Sequence, residues 1–248
     1  MAHALFVLVL DARELCGEAR DEASLATRDE KKQPPPSAER LPLWHFLRKQ
    51  PMQSRSRAVV SALVEAFDDL LRRAPNEDAV TLEALVTRAG VGIGSFYEYF
   101  SNKDALVGVL VGKATVDNFD QLLARIDADP SSDLEGKLRV MARAAVETYV
   151  KHPARTRMLM VGIARLGLLP LISRERDRFA VEVAKRLHPL MPTISLVALE
   201  RTVIIACDAC MGLTTGELYR ESPSPEHVVE QEMFEISVGL LRSRHGIG

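Results

Sequence analysis

The chain has 248 residues, of which 47% are hydrophobic and 27% are charged, so it is long and apolar enough to bury a substantial core. Its formal net charge of −2 excludes a surface that is basic throughout, and any DNA binding must therefore depend on local charge. Three cysteines are too few for a disulfide framework and favour a reducing cytoplasm. The apolar run at residues 4–10 is too short to span a bilayer and lacks the flanks of a signal peptide, so we expect a cytoplasmic protein without a membrane partner.

Residues 1–47 differ in composition from the rest of the chain. A short apolar opening and a mixed-charge stretch lead into three prolines at residues 34–36 and another at Pro42, which block regular structure. We predict a mostly disordered extension with one short helix near residues 11–26. Trp44 and Phe46 could dock on the folded body, but the sequence does not indicate where.

A basic segment follows the extension. Four basic residues fall within residues 48–57, which contain no acid: Arg48, Lys49, Arg55 and Arg57. Such a segment can neutralise DNA phosphates and release counterions, or it can be a solvated charged linker. Apolar residues then recur at helical spacing through residues 56–73 and predict a first helix, which residues 74–79 connect to the next.

Residues 81–103 predict two short helices separated by a tight turn. Thr81 has the position of an N-cap, and Gly90 can adopt the positive φ that ends the first of these helices. In the second helix, Phe96 has the spacing of a residue that faces the first. Two glycines and the hydroxyl groups of Ser95 and Tyr97 share the outward face, which suits close approach to a DNA groove. The stretch at residues 101–104 matches a capping box that opens a further helix.

These residues resemble the DNA-binding signature of the tetracycline-repressor (TetR) family of transcriptional regulators. The matching segments, in order and spacing, are Ala89-Gly90-Val91, Gly94-Ser95-Phe96-Tyr97, Tyr99-Phe100 and Lys103-Asp104-Ala105-Leu106. The detailed match covers residues 53–110. Gly92 replaces the serine or threonine that is usual in the family, which removes an expected phosphate contact and weakens the cap of the reading helix.

The resemblance implies an N-terminal three-helix, helix-turn-helix DNA-binding domain followed by a C-terminal helical bundle for ligand binding and dimerisation. We assign residues 1–47 to the extension, 48–112 to the DNA-binding domain with its basic arm, and 113–248 to the ligand-binding and dimerisation domain. The predicted DNA-binding residues are Arg55, Arg57, Thr81, Gly92, Ile93, Ser95, Tyr97, Tyr99 and Lys103. The spacing of Tyr99 also places it toward the preceding helix.

The hydrophobic pattern of the remaining residues predicts helices and no strands. A long helix is predicted from residue 101 to about 129, followed by helices at residues 132–151, 154–166, 171–187, 193–219 and 225–244. Gly167 and Pro170 are expected to stop the helix at residues 154–166. The last two helices have more apolar surface than one core-facing stripe requires, which predicts a partner. By resemblance, they pair with their twofold mates in a homodimer, and two copies then read two half-sites.

Several residues in the predicted bundle are candidates for an effector cavity, although ordinary core packing is the simpler interpretation for the methionines and aromatic residues among them. They are Met141, Tyr149, Met158, Met160, Phe179 and Asp208, and a largely apolar effector is expected. A carboxylate such as Asp208 needs an aqueous cavity, a position in solvent or an ion pair with an arginine such as Arg165 or Arg201.

The sequence contains no recognisable catalytic, metal-binding or cofactor-binding motif. Cys207 and Cys210 share one face of a helix, and packing cysteines are the simpler reading than a redox or metal switch. We therefore predict a homodimeric transcriptional regulator that binds a double-stranded DNA operator and responds to a small molecule. The alternatives are a helical small-molecule-binding or interaction protein that has lost DNA recognition, and a thiol-based redox sensor. The identities of the effector and the operator do not follow from the sequence.

Overall fold

The structure, a computed structural model, describes residues 46–75 and 78–246, so the predicted helix near residues 11–26 lies outside the described residues. Within these ranges every regular element is helical, which confirms the all-α prediction. The helices are α1 Ser54–Leu71, α2 Leu82–Ala89, α3 Ile93–Tyr99, α4 Lys103–Ala128, α5 Leu134–Tyr149, α6 Pro153–Arg165, α7 Leu169–Leu187, α8 Leu196–Leu218 and α9 Glu226–His245, with a 3₁₀ turn, His188–Leu190, after α7.

Side-chain caps fix where the helices of the N-terminal region begin. Thr81 is the N-cap of α2, as predicted, and its hydroxyl oxygen accepts a hydrogen bond from the backbone N–H of Ala84 at 3.1 Å. The N-cap of α4 is Asn102, whose side-chain oxygen accepts from the N–H of Ala105 at 2.8 Å. The helix therefore begins one residue later than a cap at Ser101 would place it.

The break before α7 differs from the prediction. Gly167 adopts a positive φ of 63° and ends the preceding turn, as expected. Pro170, however, lies in the first turn of α7 and does not stop a helix. A proline is tolerated there because the first N–H groups of a helix have no partner within the helix, so the missing donor costs nothing.

Two clusters of buried residues form the core, and α4 contributes to both. The first cluster joins α1, α2, α3, the first half of α4 and the start of α7, with Phe67, Phe96 and Leu106 almost fully enclosed. The second joins the end of α4 to the helices from α5 onward, apart from α6. The predicted boundary at residue 112 thus falls inside a continuous helix, and the division into two domains remains a proposal.

Helix α6 approaches α4 closely at Gly162. A Cβ atom on this glycine would lie 2.8 Å from Cγ1 of Val107, so only glycine allows the observed spacing. On the other side of the bundle, α9 packs on α5, where the guanidinium of Arg139 lies 3.8 Å from the ring centroid of Phe234. The bundle therefore encloses its interior with helices on several sides.

No single helix among residues 46–75 and 78–246 is long and apolar enough to cross a membrane. One bent pair, Pro153–Arg165 with Leu169–Leu190, passes on length and composition only when the two helices are taken together across a 119° bend.

Candidate DNA-binding face and interior cavity

The turn between α2 and α3 sets the direction of α3. Gly90 ends α2 with a φ of 67°, and the N–H of Val91 donates to the carbonyl of Val86 at 3.0 Å. Gly92 then caps α3 without a side-chain hydrogen bond. Phe96 is buried against the first core cluster and anchors one side of α3. The opposite side of this short helix is therefore turned outward.

The outward side of α3 is slim and carries hydroxyl groups near exposed apolar surface. Ile93 is 54% exposed and Tyr97 is 48% exposed, although both are large side chains that would normally be covered. Gly92 and Gly94 are exposed, and a Cβ atom built on either would meet no atom within 4 Å. Packing among the residues that the structure describes therefore does not require these glycines. Because these two positions lack side chains, another molecule can approach the backbone of α3 closely.

Tyr99 does not belong to this outward face. Its side chain is only 5% exposed and lies in the first core cluster with Phe96 and Phe100. The tyrosine therefore supports α3 from behind, and we leave it out of the proposed DNA contacts. Its spacing toward α2 already indicated this orientation.

The other predicted contact residues border the same region. Arg55 and Arg57 are exposed at the start of α1, and within the described residues their side chains form no ion pair. Thr81 is exposed at the start of α2, where its hydroxyl still has a proton to donate. Lys103 is half-buried at the start of α4.

Two residues of the basic segment are bound to the end of α3. The backbone N–H of Arg48 donates to the carbonyl of Tyr99 at 2.9 Å, and Nη1 of Arg48 donates to the carbonyl of Tyr97 at 3.2 Å. Nζ of Lys49 lies 3.1 Å from a carboxylate oxygen of Glu98. A cation at a helix C-terminus satisfies carbonyl groups that lack a partner within the helix. Sequence reasoning placed these residues in the arm but did not predict that they would cap α3.

The arrangement of α1, α2 and α3 defines a helix-turn-helix DNA-binding protein, with α3 as the reading helix. Residues 78–110 match the family described as bacterial regulatory proteins, tetR family. The family match therefore covers the helix-turn-helix segment, and the sequence resemblance is confirmed over these residues.

Solved structures show that the likeness of fold extends beyond the matched segment. A TetR transcriptional regulator from Rhodococcus sp. RHA1 is similar with a TM-score of 0.56 and 16% identity, over 76% of this chain and 98% of that one. A tetR-family transcriptional regulator from Streptomyces coelicolor has a TM-score of 0.56 and 18% identity, over 76% of this chain and 85% of that one. No curated protein sequence matches this chain.

An apolar cavity of about 180 Å³ lies within the helices that follow the DNA-binding module. Of the predicted residues, Met141, Tyr149 and Phe179 line it. Met158 does not; it packs against the first core cluster, whereas Met160, two residues on, does line the cavity. The ring of Phe179 stacks on that of another lining residue, Phe119, with centroids 4.7 Å apart.

The prediction that Asp208 lines the cavity is wrong. Its side chain is about half exposed and forms an ion pair with Arg176 of α7. Neither arginine suggested by the sequence is its partner, and Arg165 instead pairs with Asp104 at 2.8 Å. A carboxylate on this helix is satisfied by solvent and a neighbouring helix, so it does not require a polar cavity.

Burial favours the neutral forms of one tyrosine and two cysteines in the cavity wall. It raises the pKa of Tyr149 to about 12, despite a hydrogen bond with Asn118 that acts in the opposite direction. Burial, and then the neighbouring thiol of Cys210, raises the pKa of Cys207 to about 12. Burial also raises the pKa of Cys210. Since thiolates are the reactive form, these two thiols have the properties of packing residues.

One charged residue at the cavity was missed by the sequence analysis. Arg155 of α6 lines the cavity, and its Nε donates to Oδ1 of Asp68 in α1 at 2.6 Å. The two residues are 87 positions apart, so no local spacing indicates the contact. The only available signal was an arginine in a segment with many apolar residues.

Proposed function

We propose that this DNA-binding regulator is a homodimeric, effector-responsive repressor that binds a palindromic operator. The observation that carries the proposal is the outward face of α3, where two glycines, exposed Ile93 and Tyr97 and half-buried Ser95 leave room for a DNA groove. Glycine lets the helix backbone approach the duplex, and hydroxyl groups can bond phosphates or base edges. Arg55, Arg57, Thr81 and Lys103 are proposed to contact phosphates around this helix.

Helices α8 and α9 are proposed to form the dimer interface. Val197 is 75% exposed and Met211 is 37% exposed on α8, so apolar surface remains uncovered in the monomer. Gly212, Gly216 and Gly239 are also exposed within these helices, and a Cβ atom on any of them would meet nothing within 4 Å. Glycine inside a helix is unfavourable by roughly 0.5–1 kcal/mol relative to alanine. Because packing within one copy does not require these glycines, their presence favours close approach of a second copy.

The cavity is proposed to bind the effector. Its lining is almost entirely apolar, and it is bounded by α4, which continues without a break from the DNA-binding module. A ligand that biases the packing around α4 would change the spacing of two reading helices, and DNA has a fixed helical repeat. Binding of effector and operator would then oppose each other.

Enrichment of duplexes from a random-sequence library tests the DNA-binding part of the proposal. We expect the enriched sequences to share two inverted half-sites separated by about one turn, or 10 base pairs, of duplex. Affinity for that duplex should fall as salt rises because phosphate contacts release counterions. Tyr97→Ala should lose this binding while the thermal stability and the solution mass stay unchanged.

An interaction protein with the same fold but no DNA recognition is the main rival. Gly92 in place of a hydroxyl-bearing cap, and acidic residues near α3 such as Glu98, give it some support. If the rival is correct, the library yields no sequence preference and Tyr97→Ala changes nothing. A thiol sensor is a weaker rival because its thiols are buried and their pKa values are raised; it requires that oxidant changes DNA affinity in the wild type but not in Cys207→Ser.

A further inference from the structure

A charged side chain lines the cavity, although the other lining residues are mostly apolar. Arg155 is the one charged side chain among the described residues that line it, and no Asp, Glu, Lys or His accompanies it. Its side chain is only 10% exposed. A buried guanidinium requires anionic or hydrogen-bonding partners, and this one is at the boundary between the cavity and the DNA-binding module.

The bonds made by Arg155 leave part of its hydrogen-bonding capacity unused. Its Nε binds Oδ1 of Asp68, while Oδ2 of Asp68 accepts from Nε and Nη2 of Arg72 at 3.2 and 2.9 Å. Within residues 46–75 and 78–246, neither Nη atom of Arg155 has a hydrogen-bond partner. The guanidinium therefore has donors for a second anion, in the bidentate geometry that suits a carboxylate.

We propose that Arg155 is the anion-binding group of the effector cavity and the residue through which the effector acts on the DNA-binding helices. The effector class is a compound with an apolar, ring-sized body and one carboxylate. This inference rests on the proposed function, since it names the ligand class and the coupling residue of the same cavity.

The size and walls of the cavity define the apolar part of the ligand. A cavity of about 150 Å³ with apolar walls is known to hold benzene, and this cavity is slightly larger at about 180 Å³. The stacked rings of Phe119 and Phe179 provide a flat wall for an aromatic body. No lining carboxylate is available to neutralise a cation, so an amine is disfavoured.

The coupling follows from competition for one guanidinium. A ligand carboxylate on the Nη atoms would place a second negative charge beside Asp68 on the same guanidinium, so repulsion between the two carboxylates would weaken the contact between α6 and α1. Helix α1 packs against α2 and against α3, and α3 carries the outward face that is proposed to contact DNA. By reciprocity, anything that releases Arg155 from Asp68 must strengthen anion binding in the cavity.

Three probes of similar shape and different charge test the ligand class by calorimetry on the full chain: phenylacetate, phenethyl alcohol and phenethylamine. We expect phenylacetate to bind at least about tenfold more tightly than the alcohol, as a charge-assisted hydrogen bond implies, and the amine to bind most weakly. Equal affinities for acid and alcohol, or binding of neither, overturn the proposal.

Two adjacent aspartates provide matched variants for the coupling. Asp68 pairs with Arg155, whereas Asp69 pairs with Arg73 and Arg88 on the surface. Asp68→Asn should increase phenylacetate affinity several-fold and leave phenethyl alcohol unchanged, while Asp69→Asn should change neither. An unchanged phenylacetate affinity in Asp68→Asn overturns the competition.

Substitution of Arg155 itself supplies the complementary test. Arg155→Gln should abolish the preference for the acid over the alcohol, and Arg157→Gln on the same helix should retain it. If Arg155→Gln does not fold, Arg155→Lys keeps the charge without the bidentate donors and should reduce the preference. A full preference in a folded Arg155 variant overturns the proposal.

A final measurement separates this inference from the proposed function. The calorimetric tests need no DNA, so they can succeed or fail whether or not an operator is found. With an enriched duplex in hand, phenylacetate should weaken DNA binding by the wild type and by Asp69→Asn, and should weaken binding by Asp68→Asn much less. An equal effect in all three proteins overturns the coupling role of Asp68.

Discussion

Single residues on the outward face of α3 distinguish the requirements of folding from those of DNA binding. Gly94 is the second residue of α3, and among the described residues no atom lies within 4 Å of a Cβ built on it, so packing does not require a glycine there. Ser95 and Tyr97 are beside it and supply hydroxyl groups. The residue types on this face are therefore explained by a partner that approaches from outside.

Gly94→Ala should stabilise the fold and weaken DNA binding. Alanine has the higher helix propensity and meets no atom, so the free energy of unfolding should rise by about 0.5–1 kcal/mol in urea titrations. The added methyl group would lie between the helix backbone and the duplex, and DNA affinity should fall by at least about tenfold. A loss of stability would mean that the space around Gly94 is occupied in the protein.

Tyr149 and Cys207 should make the folded state less stable at alkaline pH. Their ordinary pKa values of 10.0 and 9.0 are both raised to about 12 in the folded chain, so folding favours their protonated forms. This contribution to stability is complete below about pH 9 and is lost as the pH rises toward 12. Urea titrations between pH 8 and pH 11 should show the decline.

A double variant isolates these two groups. Tyr149→Phe combined with Cys207→Ala removes both ionisations, so the dependence of its unfolding free energy on pH over the same range should be shallower than that of the wild type. An identical slope would assign the alkaline decline to other residues.

Local sequence signals predicted some contacts of the candidate site and not others. The cap at Thr81, the positive φ at Gly90 and the inward position of Phe96 were predictable because each depends on neighbours a few residues away. The pairing of Arg155 with Asp68 was not, because it depends on how α6 meets α1. Asp208 was misplaced for the same reason, since its partner is on a different helix.

At the scale of elements, the segment before α1 is held at two points, one on α4 and one on the reading helix α3. Phe46 packs against the first core cluster next to Gly108 of α4, and Arg48 binds carbonyl groups at the end of α3. Periodicity predicted the helices because burial repeats along them, but an irregular segment has no such repeat. Its docking could be suspected only from the aromatic character of Phe46.

Gly108→Ala should detach this segment. The new Cβ would lie 2.6 Å from the Phe46 ring, so the ring must leave its site. We expect a loss of about 1–3 kcal/mol of stability in urea titrations, as for other overpacked sites. Because both changes remove the same contact, Phe46→Ala should add little further loss in the Gly108→Ala background. Fully additive losses would show that the two residues act independently.

At the scale of the whole molecule, dimerisation and DNA reading are proposed to occupy opposite regions of the chain. Gly94 is on the reading helix, and Gly216 is on α8 with its exposed apolar residues. Both are exposed helical glycines with no atom within 4 Å of a built Cβ. They form a matched pair for separating the two activities.

Leucine at either glycine should weaken DNA binding, but only one of the two variants should change the solution mass. Gly216→Leu should shift the solution mass toward one copy in analytical ultracentrifugation and thereby weaken operator binding, because one reading helix has little affinity alone. Gly94→Leu should retain the dimer and lose DNA binding directly. A Gly216→Leu protein with an unchanged mass would remove α8 from the interface.

The continuity of α4 has a mechanical consequence. Its 26 residues make a rod about 39 Å long, and the residues from Ala105 to Gly112 are buried on every side by the helices around them. That end must therefore move as one piece with α1, α2 and α3, while residues 111–122, further along the helix, border the cavity. For a rod of this length, a tilt of roughly 5° about a fixed near end would displace the far end by about 3 Å. In the proposed homodimer, a displacement of this size would be enough to change the separation of the two reading helices relative to the repeat of the duplex.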